Sequence, residues 1–340
     1  MLKKLYLFLL FITINSAAWA QQNIDIHFNA LGFLDNREYK AFIPRSRTYS
    51  GTRLALDLGW NVDSVNRFVV GMNGIHEFGA KPYFLKVNPV AYYEYHSKNW
   101  LFNAGMFPRE NLLADYPRSI LNDTLRYYRP NVEGLATRYT NEHFTETVWL
   151  DWVSRQTATD REQFLFGFSG KYKPSVNGLF YLSHYFMMLH DAGAEIADPN
   201  HPLGDNGAAQ IKLGLNLTRL TGLDSLSVEA GGMMSLERMN RDIGFQNHAG
   251  FVASAYFSYK RIALFDEFYA GQGQHVIYGD SYYLKKLYNR LDVIYTPFLF
   301  KNIKGQFVFS FHQSPAHLND NQQAFRIVVD LGRKKLVNFN

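Results

Sequence analysis

The chain has 340 residues, a net charge of +5 and no cysteine, yet carries 28 phenylalanines and 22 tyrosines. The missing cysteines exclude disulfides and thiolate metal sites, and no basic run of the kind that binds nucleic acid is present. After the first twenty residues no apolar run of about 18 residues occurs, which excludes a helical membrane protein.

The N-terminus reads as a secretory signal over residues 1–20. Lys3 and Lys4 form its basic start, Leu5 to Ile14 its apolar run, and Ala18-Trp19-Ala20 a small-x-small cleavage site. Cleavage before Gln21 leaves 320 residues and a charge of +3, since only Lys3 and Lys4 are lost. An exported chain of this size without disulfides needs a large core or a closed sheet.

From there the dominant period is two. Leu54, Leu56, Leu58 and Trp60 alternate with Arg53, Ala55, Asp57 and Gly59, and Ile211, Leu213 and Leu215 alternate with Lys212, Gly214 and Asn216. Such strands have one apolar and one polar face. Sixteen segments follow: 23–33, 50–60, 67–77, 83–95, 99–107, 132–141, 144–155, 163–172, 178–190, 208–219, 225–238, 248–259, 261–270, 286–297, 302–312 and 323–333. Connections after even-numbered strands are short, such as Asn61–Asn66, Glu142–His143 and Lys260. Those after odd-numbered strands are mostly long: Leu34–Tyr49, Pro108–Asn131, Ala192–Gly207, Met239–Asn247 and Gly271–Lys285. This asymmetry predicts an all-β, antiparallel up-and-down transmembrane barrel of about 16 strands, one domain over 21–340, with short periplasmic turns and long extracellular loops. Trp60, Trp100, Tyr172, Tyr259, Phe298 and Phe300 gather at the short-turn end, as an interfacial girdle requires. A soluble sandwich with a charged outer face is the competing architecture.

Three places resist the pattern. Leu179–Leu189 is apolar on both faces apart from Ser183, His184 and His190. Within Ile262–Phe268 either Asp266 or Glu267 must face inward. Pro89 cannot donate to a ladder, so a bulge is expected there.

If the apolar face meets lipid, the lumen wall carries Arg53, Arg67, Lys86, Arg138, Lys212, Arg290, Lys304 and Arg326 against Asp25, Asp57, Glu94, Asp151, Glu229, Asp292 and Asp330. The longest connection, Pro108–Asn131, adds Arg109, Arg118, Arg126 and Arg129 against Glu110, Asp115 and Asp123. A loop this long inside a compact fold is functional or disordered, and its aromatics argue against a plain linker. Folded into a bore, it makes Arg109, Arg118, Arg126, Arg129, Asp115 and Asp123 the candidate constriction and solute-binding residues, selecting by charge. The opposing reading is that these arginines pair with neighbouring acids and stiffen the loop.

Motifs for chemistry are missing. His76-Glu77 does not continue to a second zinc-protease histidine, since Ala80 stands there, and Gly167-Phe168-Ser169-Gly170 lacks nucleophile-elbow spacing. Ser183 and His184 are strand neighbours and point to opposite faces. No histidine has a metal partner at ligand spacing.

The stretches Asp35-Asn36-Arg37-Glu38-Tyr39 and Gly105-Met106-Phe107-Pro108-Arg109 resemble segments of the sixteen-stranded porin-like proteins of Gram-negative outer membranes, the group that includes phosphate-selective-type porins. The resemblance implies a constricting third loop, passive diffusion of small hydrophilic solutes, and often a homotrimer. It also implies a terminal aromatic read by the barrel-assembly machinery; here Phe339 is followed by Asn340. The expectation is thus an outer-membrane diffusion channel with weak anion preference, set among lipid and lipopolysaccharide, without enzymatic activity, cofactor, metal or nucleic-acid partner. A loop-plugged barrel that binds or anchors a surface polysaccharide is the alternative, and a barrel-embedded lipid hydrolase a further one. A serine and a histidine facing lipid on adjacent strands would favour the last.

Overall fold

A computed structural model of the chain describes residues 22–40, 43–110, 114, 116–198, 203–240 and 244–339. The expected signal segment therefore lies outside the described residues. Sixteen strands run in order: β1 (Gln22–Glu38), β2 (Arg47–Asn61), β3 (Asn66–Glu77), β4 (Lys86–His96), β5 (Trp100–Pro108), β6 (Asn131–Thr140), β7 (Phe144–Ser154), β8 (Glu162–Tyr172), β9 (Phe180–Gly193), β10 (Gly204–Asn216), β11 (Ser225–Arg238), β12 (Gln246–Tyr259), β13 (Ile262–Gly271), β14 (Leu287–Phe300), β15 (Ile303–Ser314) and β16 (His317–Phe339). Each pairs antiparallel with its chain neighbours, and β1 closes on β16 from Gln22↔Phe339 to Glu38↔Asn321. Closure leaves no free sheet edge for lipid to meet, so the spanning backbone is paired on both sides of each strand apart from local register breaks such as His27/Asn29 and Tyr295/Phe298.

The wall shows why period two dominates the sequence. On β2, Leu56 and Leu58 stand outward while Arg53 and Asp57 are buried inward. On β10, Leu213 is 67% exposed and Lys212 5%. The outward row is hydrocarbon-facing and the inward row polar. Glu267 takes the lumen side of β13, and Asp266 faces lipid, where it accepts from Asn289 Nδ2 at 2.9 Å.

Pro89 forms no bulge. The β3–β4 ladder runs from Ile75↔Lys86 to Asn66↔Tyr95 without a shift, and pairing to β5 begins only at Ala91↔Met106. Pro89 therefore lies above the part of β4 that β5 engages, and the Asn131 side chain caps its carbonyl at 2.9 Å. Where the ladder does cross, Gly105 takes φ 120°, and a Cβ there would sit 2.3 Å from the Ala91 carbonyl oxygen.

The interior is packed from above by two connections. The β5–β6 loop folds inward and buries Tyr116, Ile120 and Leu121 against Phe107, Trp149, Leu165 and Met187 of the wall. That explains the doubly apolar β9: Met187 and Leu189 face in because they meet the loop, while Phe186 faces lipid. Each fully buried apolar side chain there contributes roughly 1.5–3 kcal/mol. A helical turn, Leu125–Tyr128, sets Tyr127 flat on Phe33, centroids 4.2 Å apart. The β13–β14 loop carries Tyr282 and Tyr283 into the same space, Tyr282 stacking between His312 and Tyr288. The two loops bond backbone to backbone, Asn122 N to Tyr278 O at 2.6 Å and Asp280 N to Arg118 O at 2.8 Å. Gly279 permits this approach, since a Cβ there would lie 2.3 Å from Ser119 O.

Candidate functional site

The predicted lumen residues are brought together, but mostly as ion pairs. Arg109 is bonded to Asp151 and donates to Asn131 O at 3.0 Å. Arg118 bonds Asp292 at 2.7 Å, and Arg290 holds the other oxygen of Asp292 at 2.7 Å. Arg126 meets Glu110 at 3.2 Å, and Arg129 approaches Asp151 at 3.9 Å. Asp123 bridges Arg37 at 3.0 Å and Arg326 at 3.1 Å. Burial works against the Asp123 charge, but Arg326 and Arg37 outweigh it and hold the carboxyl well below the usual carboxylate range. Asp115 lies outside the described residues.

On the wall, Lys212 pairs with Glu229, Arg138 donates to Thr147 Oγ1 at 2.9 Å, and Asp57 approaches His27 at 3.7 Å. Lys304 shares the inward side of its strand but is exposed near the short turn that joins β14 and β15. The loop's arginines thus pair largely with wall acids rather than with each other's neighbours. Tyr116, Tyr127 and Ile120 tie the loop down as a plug, not only as a ring of charge.

A cavity of about 410 Å³ remains beneath the loop, with Arg53, Glu110, Arg126, Tyr185 and Tyr256 among its lining residues. Lipid cannot reach it through the closed wall. Chemistry on a lipid therefore needs groups on the outside, and there, among the described residues, three strand imidazoles face the bilayer: His76 on β3, and His184 and His190 on β9.

His184 binds Glu146 at 2.9 Å across Gly170, whose missing Cβ leaves the room. It lies four residues above the start of β9, roughly 10 Å up a tilted strand, in the inner-leaflet half. His190 and His76 each lie ten residues above the first residue of their strand, roughly 25 Å up, where the apolar band ends on the extracellular side.

His190 is the better oriented. Its Nδ1 contacts Asp205 Oδ1 at 2.6 Å, and Arg238 Nε donates to Asp205 Oδ2 at 2.7 Å. Register causes this: His190 and Arg238 flank Asp205 directly on β9 and β11. Phe164 packs against the imidazole at 5.0 Å. With Nδ1 engaged by a carboxylate, Nε2 is the nitrogen left to act as a base. His76 stacks under Tyr83 at 4.4 Å with its Nδ1 on the Tyr83 carbonyl. Thr52 pairs with it across the ladder and Ser50 lies two residues further on the same face. A serine and a histidine therefore do face outward on adjacent strands. Among the described residues no group of three or more His, Asp or Glu side chains is placed to hold a metal ion.

The sequence reading missed the His190 arrangement. His190 registered only as an interruption of an apolar strand, and Asp205 was assigned to the loop Ala192–Gly207. β10 in fact begins at Gly204, and that upward extension is what sets Asp205 beside His190.

A closed sixteen-strand antiparallel wall, apolar outside and charged within, defines an outer-membrane β-barrel of porin-like fold. Solved structures of an anion-selective porin from Comamonas acidovorans (TM-score 0.54, 12% identity), OprB of Pseudomonas putida (0.54, 8%) and OccK8 (OprE) of Pseudomonas aeruginosa (0.53, 10%) are similar over 91, 91 and 92% of this chain and 100, 94 and 98% of theirs. At such identities the likeness is one of fold alone. A comparison with curated proteins finds no match. Residues 14–332 match the family described as Lipid A 3'-O-deacylase-type, and the chain belongs to that family.

This membership overturns two expectations, the passive diffusion channel and the absence of enzymatic activity, because the family is one of hydrolases. The error has a physical source. A polar lumen and an inward third loop are properties of a wide barrel, whatever its outer wall does.

Proposed function

We propose that the protein is an outer-membrane hydrolase that removes an ester-linked acyl chain from lipid A at the outer wall beside β9 and β10. Family membership supports the reaction. The outward His190–Asp205 pair is the observation that carries it to particular residues. In this reading His190 Nε2 takes a proton from water as the oxygen attacks the ester carbonyl. The tetrahedral oxyanion collapses, the sugar alkoxide leaves, and the imidazolium returns the proton to it. Asp205 fixes the ring and stabilises its charged form. Arg238 holds Asp205 from the other side and sets a positive charge at the height of the lipid phosphates.

A second reading has its own observation. Thr52 stands directly opposite His76, so a hydroxyl nucleophile is available there. Mass spectrometry of lipid A from a deacylase-deficient host expressing each variant separates the two. Wild type should remove one acyl group, and His190→Ala should restore the intact lipid. Loss with His76→Ala alone would move the site to β3, and an unchanged lipid A with wild type would sink the reaction itself.

A further inference from the structure

The lumen cavity is not used by the outer-wall chemistry. Among the described residues six cationic and five acidic side chains line it, and Arg118, Lys212 and Arg326 are each paired with one of those acids. The other three lining cations, Arg53, Arg109 and Arg126, stand on the side of the β5–β6 loop, and Arg129 lies behind them, beside Asp151. The described carboxylates within ion-pair distance of these four are two, Glu110 and Asp151. Asp151 is fully buried and committed to Arg109, to the Glu133 N–H at 2.9 Å and, at 3.9 Å, to Arg129. Glu110 is shared between Arg126 at 3.2 Å and Arg53 at 3.6 Å, the second too long for a good hydrogen bond.

Among the described residues two guanidinium nitrogens here have no hydrogen-bond partner: Arg53 Nε and Arg109 Nη1, on residues 7% and 5% exposed. Buried donors normally find acceptors. Between low-dielectric walls guanidiniums that share too few carboxylates attract an anion far more strongly than at an open surface. Tyr185, Tyr256 and Phe265 also line the space and offer it ring surfaces. Its volume of about 410 Å³ exceeds what a bare oxyanion fills.

We propose that this chamber binds a small organic phosphate, its phosphoryl oxygens taken by Arg53 and Arg126 and its body lying toward Tyr185 and Tyr256. The site is one of binding within a plugged lumen. It does not rest on the acyl-ester reading, since the closed wall separates the two. Guanidiniums suit the task because their planar forks donate two bonds to one phosphoryl group.

The test is calorimetric titration of the full chain, folded in detergent micelles, with glucose 6-phosphate, inorganic phosphate and glucose. Glucose 6-phosphate should bind at least tenfold more tightly than glucose, with inorganic phosphate between them. Arg53→Gln and Arg126→Gln should each weaken the sugar phosphate at least tenfold. Glu110→Gln should tighten it several-fold, because it frees both guanidiniums; this side chain is 44% exposed, so the variant should fold even if Arg53→Gln does not. No heat with wild type, or weaker binding by Glu110→Gln, would overturn the proposal. Binding lost with Arg238→Gln and kept with Arg53→Gln would place the phosphate on the outer wall and overturn it equally.

Discussion

The two faces of the barrel wall solve opposite problems with the same strands. Inside, charged groups are frequent, and most meet a partner of opposite sign, as in Arg118–Asp292, Arg326–Asp123 and Lys212–Glu229. Outside, charge is rarer, and several of the outward charges are clustered: His190 with Asp205 and Arg238, His184 with Glu146, and Asp266 with Asn289. A charge inside is ordinary solvation of a polar lumen. A charge outside must be held against hydrocarbon, so its presence there asks for a function.

That contrast can be broken most severely at His190. His190→Ala should lower the deacylation rate on lipid A in mixed micelles by about 10²–10⁴-fold, the usual contribution of a general base. Asp205→Asn should lose a large part of the same factor while leaving the folded barrel's resistance to detergent unchanged. A rate insensitive to both would return the outer cluster to mere interfacial solvation.

Adjacent residues on β10 sharpen the comparison. Leu213→Arg should cost about 2–4 kcal/mol in folding titrations into bilayers, because the guanidinium enters hydrocarbon. Lys212→Leu should cost about 3 kcal/mol, for a different reason: it leaves Glu229 charged and without its cation. If only one of the pair is sensitive, the two faces are not both electrostatically specified.

Asp266 offers a smaller effect of opposite sign. The double change Asp266→Leu with Asn289→Leu should stabilise the barrel by about 1 kcal/mol, since it removes a polar pair from the lipid face and leaves no orphan. Destabilisation in the same titration would mean that the pair has a partner outside the chain.

The smallest effect is set by pH. Asp123 has a folded pKa below its unfolded value, so its contribution is complete above the unfolded value of about 3.9 and is lost as pH falls through the folded one. Protease cleavage within 109–130 should therefore increase as the medium is taken below about pH 4. Asp123→Asn should already show the loosened loop at neutral pH, and an acid response unchanged by that substitution would assign it to other carboxylates.

The wall was legible in the sequence because period two is written directly in side-chain polarity. Arg53, Asp57, Lys212 and Asp292 all face the lumen as their alternation requires. The site was not legible, because its members lie on three strands and meet only through register. Nothing near His190 in the chain points to Asp205, fifteen residues away, and still less to Arg238, and strand ends are the part of a barrel least constrained by membrane thickness. The plug was half legible. Its length and aromatics marked Pro108–Asn131, but its second component, around Tyr278 and Tyr282, reads as an ordinary extracellular loop.

The bonds between those two loops also order assembly in time. Asn122 and Asp280 find their partners across more than 150 residues of chain, with β6 to β13 between them. The first loop can pack on β5 to β9 early, but its bonds to the second loop wait until nearly the whole wall is in place, because loop closure of that length precedes any reward from the contact. The tie between the two loops is thus among the last contacts to form. A chain stalled before the β13–β14 loop would lack the bonds that join the two loops across the lumen.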